Sequence, residues 1–452
     1  MAPTHAALRT VDEHAMSATL DDVGPRGAIV RGLGRSYGDA AQNAGGTVLV
    51  LAADERRIEL DPTAGTVTVA AGVSLDSLLR VLVPLGWFVP VTPGTRFVTV
   101  GGAIASDIHG KNHHVDGSFG CHVERMRVHQ ADGSVVDVDP SMPLFWSVVG
   151  GMGLTGIIVE ATIRLLRIES SRMAVDTSRI PDLDTLMDAM TEGDDRYRYS
   201  VAWIDLMARG RNLGRSVLTR GDHAVPAQLE GASRSHPFAF DPRQVVSVPP
   251  VIPAPGLLNR VSVAAFNEFW YRRAPRQRIG EVQSIAFFFH PLDLVGSWNR
   301  LYGARGMVQY QFVVPFGAEA TVRTVVERLS DSGTTSFLAV LKRFGEGNPA
   351  PLSFPRAGWT LALDVPSASP SLGELLRGLD DLVLEAGGRH YLAKDSCTTR
   401  DAIAQGYPRL DEWRAVQRAV DPHGRWQSDL GRRLGLIEAA GPAPVTAGGG
   451  HG

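Results

Sequence analysis

Residues Arg31–Gly38 read RGLGRSYG and directly follow a short apolar run, Gly27–Val30. A second apolar run, Thr47–Leu51 (TVLVL), follows close behind. The glycines invite a dinucleotide-binding βαβ turn, but their spacing is G-x-G-x-x-x-G. Only about eight residues separate the loop from the next strand, where a crossover helix needs at least ten to twelve. The doubly wound nucleotide fold is therefore excluded. What remains is a tight glycine loop at a strand end, whose backbone N–H groups can still hold a pyrophosphate.

Outward from this loop the first third of the chain is regular. Thr66–Ala70 and Val135–Val138 read as strands. Ser74–Val83 reads as a helix with Ser74 as N-cap, Leu75, Leu78, Leu79 and Leu82 on one face, and Pro84 and Gly86 as the stop. Three further glycine-rich stretches follow: Pro93-Gly94-Thr95 leading into Thr99–Ala105 (TVGGAIA), His109–Gly120 (HGKNHHVDGSFG), and Gly150–Gly156 (GGMGLTG) before the strand Ile157–Leu166. His109 and His113 have helical i, i+4 spacing, but Gly110 weakens a helix and no third ligand accompanies them, so no metal site is expected. Four glycine loops at strand ends together describe a long phosphate-containing cofactor threaded through a β-rich domain.

From about Ser170 the texture changes to alternating helices (Leu183–Met190, Ala320–Ser330, Ser371–Ala386) and strands (Arg198–Asp205, Val308–Val314), which predicts a separate α+β unit. Val245–Leu258 (VVSVPPVIPAPGLL) is apolar with four prolines and reads as a loop or an apolar flap. The tail from Glu438 is rich in Gly, Pro and Ala and is expected to be disordered.

Composition removes other classes. A net charge of -3 argues against nucleic acid. Two cysteines, Cys121 and Cys397, give neither a disulfide framework nor a metal cage. No apolar run reaches the ~18 residues of a membrane span, and the N-terminus lacks the pattern of a secretory signal. The expected location is the cytoplasm or the periphery of the plasma membrane, with the periplasmic side left open. Of 45 cationic side chains only three are lysines, Lys111, Lys342 and Lys394.

The glycine-loop set resembles the vanillyl-alcohol-oxidase/p-cresol-methylhydroxylase flavoproteins. In sugar oxidases of that superfamily a histidine in the first loop binds flavin covalently. Arg35 stands there here, which implies non-covalent FAD. The resemblance narrows to the decaprenylphosphoryl-β-D-ribose 2′-oxidases, flavin subunits of an actinobacterial epimerase. It is carried by RGLGRSYGDAAQN (31–43), PGTRFVTVGGAIASDIHGKNHH (93–114), GGMGLTGII (150–158), FHPLD (289–293), WNRLYG (298–303), QYQFV (309–313), PLSFP (351–355) and YLAKDS (391–396).

The resemblance implies a two-domain α+β flavoprotein. The FAD-binding domain is expected over residues 1–169, a substrate domain with an antiparallel sheet over 170–388, and a return to the FAD domain over 389–437. FAD contacts are implied for Arg31, Gly32, Leu33, Gly34, Arg35, Ser36, Tyr37, Gly38, Gly94, Thr99, Val100, Gly101, Gly102, Ser106, Asp107, Ile108, His109, Ile157 and Tyr391. Lys394, Gln311 and His109 are the implied catalytic residues. Lys111, Trp203, Gln309, Lys342 and Ala362 are the implied substrate contacts. Oxidation of a secondary alcohol needs a hydride acceptor, a group that handles the hydroxyl proton, and positive charge.

The implied substrate is a polyprenylphosphoryl-ribose, oxidised at its 2′-hydroxyl. An NAD(P)H-dependent short-chain reductase is the implied partner, and peripheral membrane contact is expected. Three positions depart from the family. Ala362 replaces the cysteine that nitroaromatic inactivators attack, Phe289 replaces a tyrosine, and Thr360 replaces an asparagine. With a short N-terminal segment, these keep open an alternative, oxidation of another sugar or nucleoside. A non-catalytic flavin- or lipid-phosphate-binding protein is the third reading, and the retained Lys394 argues against it.

Overall fold

The computed structural model describes residues 5–11, 16–249, 257–304, 306–367 and 371–438. The tail beyond Glu438 and half of the proline-rich segment, residues 250–256, therefore lie outside the described residues.

A three-stranded parallel sheet places Thr47–Leu51 between Ala7–Val11 and Ala28–Arg31. Beside it, an antiparallel sheet runs in the order Ile58–Asp61, Thr66–Ala70, Ile157–Arg164, Val123–His129, Val135–Val138. The predicted first helix forms over Leu75–Leu82. Ser74 caps it by accepting from Ser77 N, and Leu75, Leu78, Leu79 and Leu82 are buried against this sheet. One loop expectation is corrected, because Val100–Ala105 is a short helix capped by Thr99, not an extended strand end. Its small residues let it lie against Ala71, with the backbone N–H of Gly101 donating to Ala71 O at 2.9 Å.

An eight-stranded sheet forms the rest of the frame. Its order is Gln277–Ser284, Arg172–Ile180, Ser216–His223, Tyr199–Ile204, Ala339–Phe344, Gly358–Pro366, Met307–Val314, Arg389–His390. Side chains alternate across a strand, so the two faces have different fates. Leu218, Ala202, Leu341, Leu361, Leu363, Tyr310 and Phe312 pack under three helices, Leu183–Gly193, Glu319–Ser332 and Leu372–Glu385. The residues between them face the other way and line a cavity. The chain then forms the helices Arg400–Gly406 and Leu410–Val420. It returns to the first strands, where Trp426 packs fully buried with Ala28, Leu49 and Ile157.

Candidate active site

The cavity has a volume of about 1530 Å³, more than the ~300–1,000 Å³ of most ligand sites, and so has room for two ligands. One end is bounded by Arg31–Tyr37, Gly94, Thr99, Gly101 and Gly102, and the other by the open face of the eight-stranded sheet.

Register assembles that face. Gln311 is opposite Ala362, Ala362 opposite Val340, Val340 opposite Trp203, and Trp203 opposite Val217. One step along, Gln309 pairs with Asp364, and Lys342 pairs with Thr360. Trp203 is oriented by its indole N–H, which donates to Phe337 O at 3.0 Å.

All three lysines line this one cavity. Each keeps some surface on the cavity but lies deep in the protein, where a charge loses hydration. Burial lowers Lys111 to about 7. Burial, with repulsion from Lys394 and Lys111, lowers Lys342 to about 7. Burial also lowers Lys394, but the nearby Asp364 carboxylate opposes it and leaves the group at about 8. Lys111 also donates to Phe288 O and lies 4.3 Å from the centre of the Phe288 ring.

Asp364 was not anticipated from the sequence. It is fully buried and accepts from Gln309 Nε2 and, at 3.3 Å, from Tyr302 Oη. Burial raises it to about 6, so it is ionised at neutral pH. Its one sequence signal was a lone acid within the strongly apolar strand GWTLALDVP.

His109 sits between the rings of Phe344, Phe354 and Tyr391. Burial holds its pKa well below the ordinary value, so the ring is neutral. Hydrogen-bond directions assign its tautomer. The hydroxyl of Thr360 donates to Phe312 O at 2.8 Å, so it must accept from Gln311 Nε2 at 3.0 Å. The same amide nitrogen donates to His109 Nε2 at 3.0 Å, leaving the proton on Nδ1. That buried Nδ1 and Gln311 Oε1 have no partner among the described residues.

The opposite end is tied to Lys394 through backbone. Tyr37 N donates to Ala393 O at 2.9 Å. A Cβ at Gly38 would lie 1.7 Å from Asp395 O, so only glycine permits that approach. Arg433 bridges Asp39 and Asp395 at 2.7 and 2.8 Å and clamps both segments. Tyr391 stacks on Phe354 and donates to Ser106 O at 2.8 Å.

Most sequence-derived positions reach the cavity wall: Arg31–Tyr37, Gly94, Thr99, Gly101, Gly102, Ser106, Ile108, His109, Tyr391, Lys111, Trp203, Gln309, Lys342, Ala362 and Lys394. Five do not. Gly38 packs on Asp395. Val100 points into the core while its glycine neighbours face the cavity. Ile157 is buried and its strand neighbour Ile158 lines the wall, as alternation requires. Asp107, at φ 40, holds Ser118, Gly120 N, Asn348 and Ser353 and organises the loop instead of a ligand. Gln311 lies behind His109 and borders the small pocket next to Tyr391 and Lys394. The helical pairing of His109 with His113 does not form, since His113 opens a separate turn, His113–Asp116. Among the described residues no group of three or more His, Cys, Asp or Glu converges as a metal site.

These residues fit FAD. The amides of Leu33, Gly34, Arg35 and Ser36 have no acceptor among the described residues, Arg31 and Arg35 line the cavity together with the three lysines, and a buried imidazole N–H awaits an acceptor. A loop able to hold pyrophosphate joined to such a pocket defines an FAD-dependent oxidoreductase. Residues 16–139 match the FAD binding domain family. The chain is 45% identical over 444 residues, 96% of each chain, to decaprenylphosphoryl-β-D-ribose oxidase of Mycolicibacterium smegmatis. An uncharacterized protein in the mprA 5′ region of Streptomyces coelicolor is 40% identical over 80% of this chain and all of its own length. An alditol oxidase of a Streptomyces species is 25% identical over 94% of this chain and 95% of its own. The chain belongs to the decaprenylphosphoryl-β-D-ribose oxidase family.

Proposed function

We propose that the protein oxidises the 2′-hydroxyl of polyprenylphosphoryl-β-D-ribose to the 2′-keto sugar, the first half of an epimerisation that yields the arabinose donor for cell-wall arabinan. The observation that carries this reading is the convergence of all three lysines of the chain, with Asp364, on the wall of one cavity. When bound, FAD supplies the two-electron acceptor for the hydride of the carbinol carbon.

Lys342 and Lys111 give the positive charge that a phosphodiester requires, and Trp203 gives the sugar an apolar wall. Lys394, kept charged by Asp364, stabilises negative charge that develops near the reacting hydroxyl. His109, fixed as the Nδ1–H tautomer by Gln311 and Thr360, donates a hydrogen bond without adding charge. FAD is held non-covalently, since the first loop carries Arg35 at the attachment position. Residues 1–169 and 389–437 form the FAD-binding part, and 170–388 the substrate part. The keto product requires an NAD(P)H-dependent reductase as partner, and a polyprenyl tail requires contact with a membrane surface. The contact proposed is peripheral; among the described residues no helix is long and apolar enough to cross a membrane.

The test is anaerobic. A short-chain polyprenylphosphoryl-ribose should bleach the flavin, and free ribosides should not. Bleaching by a soluble sugar alone would establish the alternative, oxidation of another sugar or nucleoside. That second reading draws on Phe289, which lines the cavity, packs against Phe88, Tyr199, His223 and Phe288, and offers no hydroxyl there.

A further inference from the structure

The Arg260–Arg273 helix buries little of itself. Val263 and Asn267 face inward, with Asn267 Nδ2 donating to Asp205 Oδ1 at 2.7 Å. Its remaining apolar side chains are exposed: Val261 by 79%, Phe269 by 58%, Trp270 by 41% and Phe266 by 40%. Phe266, Phe269, Trp270 and Arg273 are spaced i, i+3, i+4, i+7 and form one stripe. Phe266, Trp270 and Arg273 also line the cavity, so the stripe runs along its mouth.

The segment that continues from the stripe is basic. Residues 271–278 read YRRAPRQR, four arginines with no acid between them, in a chain whose net charge is -3. Glu268 pairs with Arg272, and Glu281 with Arg278. Arg273 and Arg276 have no carboxylate within ion-pair distance among the described residues. The Arg273 guanidinium instead lies 5.8 Å from the Phe269 ring centre. Exposed Trp and Phe interleaved with unpaired guanidiniums match the interface of an anionic bilayer, where aromatic rings sit at headgroup level and each cation is attracted to the surface.

We propose that this helix and the arginines after it dock the enzyme on an anionic lipid surface, turning the cavity mouth toward the bilayer. A lipid-linked sugar then enters headgroup-first while its tail stays in the membrane. The docking surface deepens the proposed function and rests on it for the purpose of docking, though not for the binding itself.

The experiment is flotation of the holoenzyme with vesicles of phosphatidylcholine alone and of phosphatidylcholine with phosphatidylglycerol in equal parts. Binding is expected to the anionic vesicles and to weaken with salt. Phe269→Ser should lower the partition coefficient about tenfold, and Arg276→Gln about fivefold. Neither residue lines the cavity. Both variants should therefore keep their flavin and be reduced by detergent-dispersed polyprenylphosphoryl-ribose at the wild-type rate. Absence of wild-type binding, or equal binding by wild type and the double variant, overturns the proposal. So does a loss confined to complex formation with the reductase, which would make the face a protein-docking site. Vesicle binding with no flavin reduction by the lipid-linked sugar would leave docking in place and refute the assigned substrate.

Discussion

Asp364→Asn tests the electrostatic logic of the site, because it removes one charge and little volume. In the folded protein burial lowers Lys394 and the Asp364 carboxylate restores part of the loss, leaving the ammonium at about 8. Asp364 itself titrates at about 6 and is charged at pH 7.5. A neighbouring opposite charge is worth about one to three pKa units, so the Asn variant should move Lys394 to roughly pH 5–7. If the ammonium is the active form, wild-type kcat is flat below about pH 8 and falls about tenfold per unit above it. In the variant the same limb shifts to lower pH. The loss at pH 7.5 is then roughly threefold for a one-unit shift and a few hundredfold for three. The assay is stopped-flow flavin reduction by lipid-linked ribose across pH, with flavin content as the folding control. Recovery of the variant at low pH is the signature, since a merely distorted pocket would not be repaired by protons. A limb that stays near pH 8 in the variant, or a wild-type rate that rises through pH 8, would refute the reasoning.

Further tests follow from other parts of the site. Lys394→Met should lower kcat by about 10²–10³, the usual cost of removing a preorganised charge, and Lys394→Arg should not restore it if the compact ammonium is required; both are read in single turnover. Wild-type enzyme should survive incubation with a nitroaromatic inactivator, and Ala362→Cys should become irreversibly inhibited, with the adduct seen by mass spectrometry. Apo protein should gain thermal stability between about pH 7 and 10, since the unfolded lysines bind protons there that the folded ones have shed. Replacing all three lysines with methionine should flatten that slope. Gly38→Ala should weaken flavin retention, because its Cβ would collide with Asp395 O and push the Lys394 segment off the first loop.

The short gap between RGLGRSYG and the next strand was enough to reject the doubly wound fold, and the glycine loops placed the cofactor end of the cavity. Local signals succeed there because loop length and glycine requirements are properties of the backbone near one position. The leucine periodicity of Leu75–Leu82 was legible for the same reason. Register was not legible. Whether Ile157 or Ile158 meets a ligand depends on which face of a strand is covered, and that is set by partners far away in the chain.

Asp364 and Thr360 show the same limit more sharply. Each is a small polar residue in an apolar strand. Its function exists only because cross-strand pairing sets it beside Gln309 or Lys342 and within reach of Lys394 or Gln311. The sequence by itself determined the class of fold, the cofactor loop and the scarcity of lysine. Only the tertiary structure decided that three lysines separated by up to 283 positions share one cavity, and what each is worth there. Burial lowers all three, repulsion from the other two lowers Lys342 further, and Asp364 raises Lys394, and none of this can be read from neighbours along the chain.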